Sequence, residues 1–296
     1  METVLPYYTR WMERFQDWHT LAKADESDVL KAWEGLGYYK RAKALHALAK
    51  TVVYDLKGEL PSSVEELVQL PGIGPYTAGA IASVAFGKQA ALVDGNVERG
   101  FARLLNLKWD MSKGESKRAM WKIAESMLPQ ESCGDYNQAL MELGALVCIP
   151  RKPMCALCPV RRLCQAQEPE RLPVKTRVRS LHEEEQLSWI WDSKQKQFWL
   201  ELPKNPTRWP GCYRLPAAAI NRHRKKQTTL FKERYTITRH QVSAYVIKDG
   251  AQPPSGRRGK WFKPHELEIL FLPAPHRRMI EKALRLTTSL FPLSSA

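Results

Sequence analysis

Four of the six cysteines stand at positions 148, 155, 158 and 164, a Cys-x6-Cys-x2-Cys-x5-Cys array inside seventeen residues. Thiols crowded this closely constrain the chain strongly, because their backbone must loop, rather than run as regular helix or strand, for the sulfurs to share one ligand. Disulfides are an alternative on count alone. The start of the chain, Met1-Glu2-Thr3-Val4-Leu5-Pro6-Tyr7-Tyr8, however, lacks the basic-then-apolar layout of an export signal. In a reducing compartment such crowding favours metal over disulfide. Two metal readings stand side by side. A zinc ion accepts four thiolates, although structural zinc sites more often pair two Cys-x-x-Cys knuckles; an iron–sulfur centre accepts the same four. Pro153 and Pro159 stiffen the loops between the ligands. Cys133 and Cys212 are left over, and are expected to be buried as small hydrophobes.

From residue 1 to about 165 the apolar residues recur at spacings of three and four, as in Val29, Leu30, Trp33 and in Ala42, Leu45, Leu48, Ala49. That period predicts helices. The stretch from Gln165 to Pro173 loses periodicity and carries two prolines, so residues 166–182 read as a linker. Beyond it come short alternating runs, Leu187–Trp191, Gln197–Leu200 and Gln241–Ile247, which predict strands in a smaller α+β domain over 183–296. No run approaches the 18 or more apolar residues of a membrane span. The expectation is a soluble, intracellular, cytoplasmic protein.

Lys and Arg number 46 against 31 Asp and Glu, a net charge of +15. A fold does not need that surplus; a polyanionic partner such as nucleic acid would reward it. Ordinary solvated faces can also add up to such a total. The segment Pro61–Ala80 offers a more specific signal. Ser62 with Glu65, or Ser63 with Glu66, can cap one helix, Gly87 can stop a second that begins near Pro75, and Gly72-Ile73-Gly74 joins them. Glycines let backbone approach a ligand closely, and free N–H groups at a helix start suit a phosphate. A plain structural turn uses the same residues. Asp94, in Ala91-Leu92-Val93-Asp94-Gly95-Asn96-Val97, sits where a helix begins, and capping accounts for it as well as catalysis does.

Taken together, Leu70-Pro71-Gly72-Ile73-Gly74 and Val93-Asp94-Gly95-Asn96-Val97 resemble the helix-hairpin-helix DNA glycosylases. Trp33-Glu34-Gly35-Leu36-Gly37-Tyr38-Tyr39-Lys40-Arg41-Ala42, Tyr136–Ala145 and the cysteine array are similar, within them, to the adenine DNA glycosylase family. The resemblance runs almost continuously over residues 1–165. It implies a mainly α helix-hairpin-helix glycosylase domain over 1–165 with a [4Fe–4S] lobe at about 126–165, followed by a C-terminal α+β Nudix-like domain. It implies monofunctional removal of adenine paired with 8-oxoguanine or guanine in duplex DNA by a monomer. Cys148, Cys155, Cys158 and Cys164 would hold the cluster, with Arg151, Lys152, Arg161 and Arg162 beside them facing phosphates.

In such an enzyme the target base is flipped out of the duplex and positive charge builds on the sugar as the bond breaks. Asp94 matches the family carboxylate that steadies this charge. Asn137 matches the asparagine that positions the site. Tyr76 stands where strand-cutting relatives carry a Schiff-base lysine, and a phenol cannot form that adduct. Gly72, Gly74 and Thr77 would contact DNA at the hairpin. Tyr38 matches an aromatic that wedges into the base stack, whereas Tyr39 is expected to pack inside. The family's general acid is a glutamate in a segment resembling Ser-Glu-(Ile/Val)-Met-Leu-Gln-Gln-Thr-Gln-Val, just upstream of the stretch with which this chain begins. Met1 is therefore expected to lie inside a longer reading frame; the alternative is a truncated protein that binds lesions without excising, since loss of general acid catalysis costs about 10² to 10⁴ in rate.

The second domain carries its resemblance in Trp209–Pro216, in Trp261-Phe262 with Glu266-Leu267, and in Leu272–Arg278. No Nudix box of clustered glutamates occurs, so no pyrophosphatase activity is expected. The family loop Phe-Ser-His is replaced by Ile237-Thr238-Arg239, and Thr238 is the candidate hydroxyl for 8-oxoguanine. Arg222, Arg224, Lys225 and Lys226 read as a phosphate-facing strip or a solvated loop.

Overall fold

The computed structural model describes residues 4–176, 179–204, 206, 208–209, 211–218, 228–249 and 252–287. The basic run at Arg222–Lys226 lies outside the described residues. The chain divides into two compact units, Ala47–Arg177 on one side and Met1–His46 with Val178–Ala296 on the other.

The first of these units is helical, as the spacing of its apolar residues predicts. It takes in the end of α4 (Tyr39–Tyr54), α5 (Val64–Leu67), α6 (Pro75–Ala80), α7 (Gly95–Leu104), α8 (Gly114–Ser126) and α9 (Cys133–Glu142). Both α6 and α9 run on into a wider π turn, Ile81–Ala85 and Leu143–Val147 respectively. Of the two capping pairs, Ser63 with Glu66 forms: the Ser63 hydroxyl accepts from the Glu66 N–H and donates to the Glu66 carboxylate. Leu92, Val97, Phe101, Ala102, Met111, Met120 and Ala124 make one core cluster. Removing a side chain such as Phe101 from it would cost about 3–5 kcal/mol, the usual result of opening a core cavity.

Three glycines let the segments of this unit approach more closely than any side chain permits. A Cβ at Gly79 would overlap the Ala91 carbonyl, one at Gly134 would lie 2.7 Å from the Ser83 carbonyl oxygen, and one at Gly144 2.5 Å from the Asn96 Cβ. Thereby α6 is drawn in against the run before α7, the first π turn against the start of α9, and the second π turn against the start of α7.

In the second unit, α1 (Leu5–Arg14), α2 (Trp18–Lys23), α3 (Glu26–Ala32) and the start of α4 join two small sheets and the C-terminal helix α10 (Ala274–Thr287). One sheet has the order β1-β5-β4, with β1 (Leu181–Trp189) parallel to β5 (His240–Lys248) and β4 (Thr229–Ile237) antiparallel to it. The other pairs β2 (Trp191–Asp192), β3 (Gln197–Glu201) and β6 (Gly259–Phe262), all antiparallel. All three alternating runs fall on strands. Trp189, Phe198, Leu200, Val242, Ala244, Val246, Phe262 and the apolar side of α10 close the core. The helices before residue 46 join this core through Tyr39, whose ring meets Phe271 edge-on at 4.9 Å, and through Glu34, which binds Arg277 Nε at 2.5 Å. The spacing of apolar residues does not announce that grouping, because its contacts join residues more than 200 positions apart.

Candidate functional site

The hairpin between α5 and α6 calls for glycine at position 72. Gly72 has φ 76°, a region that side chains disfavour, and Gly74 is the residue before Pro75, the first residue of α6. Ile73 between them is buried and anchors the turn. In the first turn of α6, Tyr76 is 38 % exposed, and its hydroxyl lies 3.5 Å from the Met141 sulfur on α9. Thr77 follows it in the same turn, and Gly87, with φ 63°, ends the π turn.

Asp94 caps α7. Its Oδ1 accepts from the N–H groups of Asn96 at 2.8 Å and Val97 at 2.7 Å, and its Oδ2 accepts from Asn96 Nδ2 at 3.0 Å. The residue is half-buried. A carboxylate has about four acceptor positions, so three donors fix its orientation and leave room for one more contact. The capping reading and the charge-bearing reading are therefore compatible: the cap is what immobilises the charge.

Asn137 is 1 % exposed, too buried to touch a substrate. Its Nδ2 donates to Ser83 Oγ and to the Ala90 carbonyl, both at 2.9 Å, while the Ser83 hydroxyl donates to the Gly79 carbonyl at 2.7 Å. One amide thus ties α9, the π turn after α6 and the run leading to Asp94 into a single frame.

Two arginines of α7, absent from the sequence reading, extend this frame. Arg99 donates through Nη2 to Asn96 Oδ1 at 2.8 Å and to the Gly144 carbonyl at 2.7 Å, and through Nε to the Cys148 carbonyl at 2.7 Å. Burial, and then the neighbouring Arg103 charge, lower its pKa. Arg103 is 1 % exposed and donates to the carbonyls of Cys148, Ile149, Pro150 and Leu172 and to the Cys148 sulfur at 3.3 Å. Positions 96, 99 and 103 recur at spacings of three and four, so they share a side of α7. That spacing was readable; the pull of buried carbonyls on a guanidinium was not.

The cysteine array departs from its expected geometry. Among the described residues no three His, Cys, Asp or Glu side chains converge as a metal site. Cys148 and Cys164 both turn to Arg103, one sulfur receiving from its guanidinium and the other lying 3.6 Å from its carbonyl oxygen. Cys155 opens a short 3-10 turn and is exposed, as is Cys164. Among the described residues the four sulfurs do not meet as one ligand set. The donor chemistry itself, four thiols on irregular backbone, remains that of a thiolate-ligated metal centre. Cys133 and Cys212 are buried as expected, and burial pushes the Cys212 thiol up to about 12.

In the sheet-bearing unit, Tyr38 is 75 % exposed with φ 47°, and the Arg41 guanidinium carbon lies 5.5 Å from its ring centre. Tyr39 is half-buried against Phe271, and burial raises its hydroxyl to about 12. Thr238 and Arg239 form the turn between β4 and β5. Thr238 adopts φ 52°, rare for a β-branched residue, and its hydroxyl donates to the Ile237 carbonyl at 2.7 Å.

Residues 1–126 match the family model described as HhH-GPD superfamily base excision DNA repair protein. This stretch is similar to that superfamily, and a sheet-containing C-terminal region follows it. Its relatives are adenine DNA glycosylases. The human protein of that name is 45 % identical over 167 residues, which make up 56 % of this chain and 31 % of the relative. That of Buchnera aphidicola subsp. Schizaphis graminum is 27 % identical over 302 residues, 95 % of this chain and 86 % of the relative. The aligned region thus spans about a third of the mammalian relatives. A solved thermostable thymine-DNA glycosylase is 32 % identical, with a TM-score of 0.48 over 55 % of this chain and 75 % of that one.

Proposed function

We propose that this protein hydrolyses the N-glycosidic bond of adenine paired with 8-oxoguanine or guanine in duplex DNA, as a monomer and without cutting the strand. The observation that carries the reading is the Asp94 carboxylate, half-buried and held by three hydrogen bonds at the head of α7. A charge fixed in this way costs no reorganisation when the flipped nucleotide's sugar becomes cationic, which is how electrostatic catalysis gains its advantage over water. Asn137 is a positioning residue: it sets the run that ends at Asp94. Tyr76 offers a phenol where a strand-cutting enzyme needs an amine, so no Schiff base forms and the product is an abasic site.

Gly72, Gly74 and Thr77 present backbone and hydroxyl donors to a phosphate. Exposed Tyr38 supplies a stacking surface for a base pair opened beside it. Thr238, in the turn of a Nudix-like domain, meets the base opposite adenine. Cys148, Cys155, Cys158 and Cys164 would hold a [4Fe–4S] cluster. When bound, the cluster cross-links the loops that carry Arg151, Lys152, Arg161 and Arg162. Protein purified without oxygen should then contain four irons and four acid-labile sulfides per chain, and a chain with zinc alone would refute this assignment.

The deciding experiment is single-turnover excision on a duplex with one adenine opposite 8-oxoguanine, run on this chain and on Asp94→Asn. Adenine release that falls at least 100-fold in the variant is expected, in line with the loss of one preorganised electrostatic group. Tight binding without release by the unaltered chain would overturn the catalytic reading. Abundant borohydride-trapped adduct would overturn the monofunctional one.

A further inference from the structure

The two faces of the sheet β1-β5-β4 carry opposite arrangements of charge. On the core side every strand carboxylate is engaged: Glu183 by Arg208 and His240, Glu185 by the Tyr235 hydroxyl at 2.7 Å, and Glu233 by Arg278 and Lys282 at 3.7 and 3.8 Å. The pleat turns the alternate residues outward. Register puts Glu184, Ser243 and Arg234 in one row, Gln186, Tyr245 and Lys232 in the next, and His182, Gln241 and Thr236 in a third. Lys232, Arg234 and Thr236 are all exposed along β4, and the exposed turn residues Thr238 and Arg239 continue their line.

That line holds three cations and no carboxylate. The one acidic side chain of the three outward rows is Glu184, on β1 at the far side of the sheet, where the Tyr245 hydroxyl donates to it at 3.1 Å. Lys232 Nζ donates to the same hydroxyl at 2.8 Å. Arg234 and Arg239 meet no carboxylate among the described residues. Cations two residues apart on a strand lie about 6.6 Å apart. Such a row suits a polyanion running along the strand and does not suit a single small ion.

We propose that the outward line of β4, Lys232 and Arg234 with Arg239 at the turn, binds the sugar–phosphate backbone of duplex DNA. The proposal rests on the reading of this chain as a DNA glycosylase and extends it: the turn that meets the base opposite adenine is the end of a phosphate-tracking strip. Charge complementarity selects the partner, since a protein partner for this face would have to bring its own acidic row.

The test measures duplex binding by fluorescence anisotropy across a range of salt concentrations. It compares the unaltered chain with Lys232→Ala/Arg234→Ala and with Arg278→Ala/Lys282→Ala, which removes the same charge from the other side of the same sheet. Losing two phosphate contacts should lower the slope of log affinity against log salt by about 1.8 and weaken binding roughly thirtyfold at 0.15 M salt, from the counterion term alone. Glu184→Gln should tighten binding, which guards against loss of affinity through misfolding. An unchanged slope in Lys232→Ala/Arg234→Ala, or an equal loss in both double variants, would overturn the strip while leaving the glycosylase reading in place. Failure of the unaltered chain to bind duplex DNA would overturn both.

Discussion

Asn137 Nδ2 lies 2.9 Å from Ser83 Oγ, and both residues are about 1 % exposed. A buried amide beside a buried hydroxyl is stabilising only while both stay paired, because each is costly to leave without a partner. Asn137→Ala should therefore destabilise the helical unit by about 1–3 kcal/mol, read from urea unfolding. Ser83→Ala should cost less, since Asn137 keeps its bond to the Ala90 carbonyl. Equal stability of Asn137→Ala and the unaltered chain would mean that this frame is not what holds the run before α7.

Asp94 caps α7 in the structure and is a fixed charge under the proposed function, and substitution can separate the two. Asp94→Ala removes the cap and should cost about 1 kcal/mol of stability. Asp94→Asn keeps an acceptor for the α7 N–H groups and removes the charge, so stability should change by a few tenths while adenine release collapses. Parallel thermal melts and single-turnover assays on the two variants decide the matter; a large stability loss in Asp94→Asn would show that the charge, not the cap, supports the fold.

Arg103 is the support of the cysteine segment. Arg103→Met fills the volume but abandons the carbonyls of residues 148, 149, 150 and 172. The loss should exceed about 3 kcal/mol, as expected when several buried acceptors are left unpaired. Cys148, whose sulfur meets the guanidinium, should then react faster with a soluble thiol reagent. An unchanged labelling rate at Cys148 would contradict the placement of that sulfur on Arg103.

His276 makes the sheet-bearing unit sensitive to acid. It is fully buried, its Nδ1 accepts from the Leu215 N–H at 3.2 Å, and burial, followed by the Arg214 charge, lowers its pKa from 6.5 to about 3. The neutral ring is the form that folding favours. Its contribution is fully present above pH 6.5 and is lost as pH falls toward 3, because the unfolded chain takes up the proton first. The slope is at most about 1.4 kcal/mol per pH unit. His276→Gln should flatten the decline of stability between pH 6.5 and 4; an identical decline would assign the acid sensitivity elsewhere.

Asp110 works in the same direction at lower pH. Hydrogen bonds from the hydroxyls of Thr176 and Ser112 hold its carboxyl well below the ordinary 3.8. The clasp it makes is complete above that pH and weakens below it. Asp110→Asn should remove this low-pH component from the unfolding profile of the helical unit, and a profile unaltered below pH 4 would show that the clasp contributes nothing.

Much of the architecture was legible from local signals. A three-and-four period marks helices, alternation marks strands, and Gly72, Gly74 and Pro75 mark a tight hairpin, because each depends on residues within one turn of the chain. Asp94 was legible as a cap, which the structure shows, while its role as a charge belongs to the proposed function. The cysteines were legible as a donor set, but their spacing carried no information about Arg103, which takes two of the sulfurs.

The sequence by itself determined which segments are helical, which are extended, and where donors, acceptors and thiols stand along the chain, since those follow from short-range sterics and apolar period. Tertiary structure alone decided that Arg99 and Arg103 turn inward, that Asn137 braces the approach to Asp94, and that the opening helices join the sheets through Glu34 with Arg277 and Tyr39 with Phe271. The reason is the cost of burying a polar group without a partner: the partners that meet it come from remote parts of the chain, and no local pattern names them.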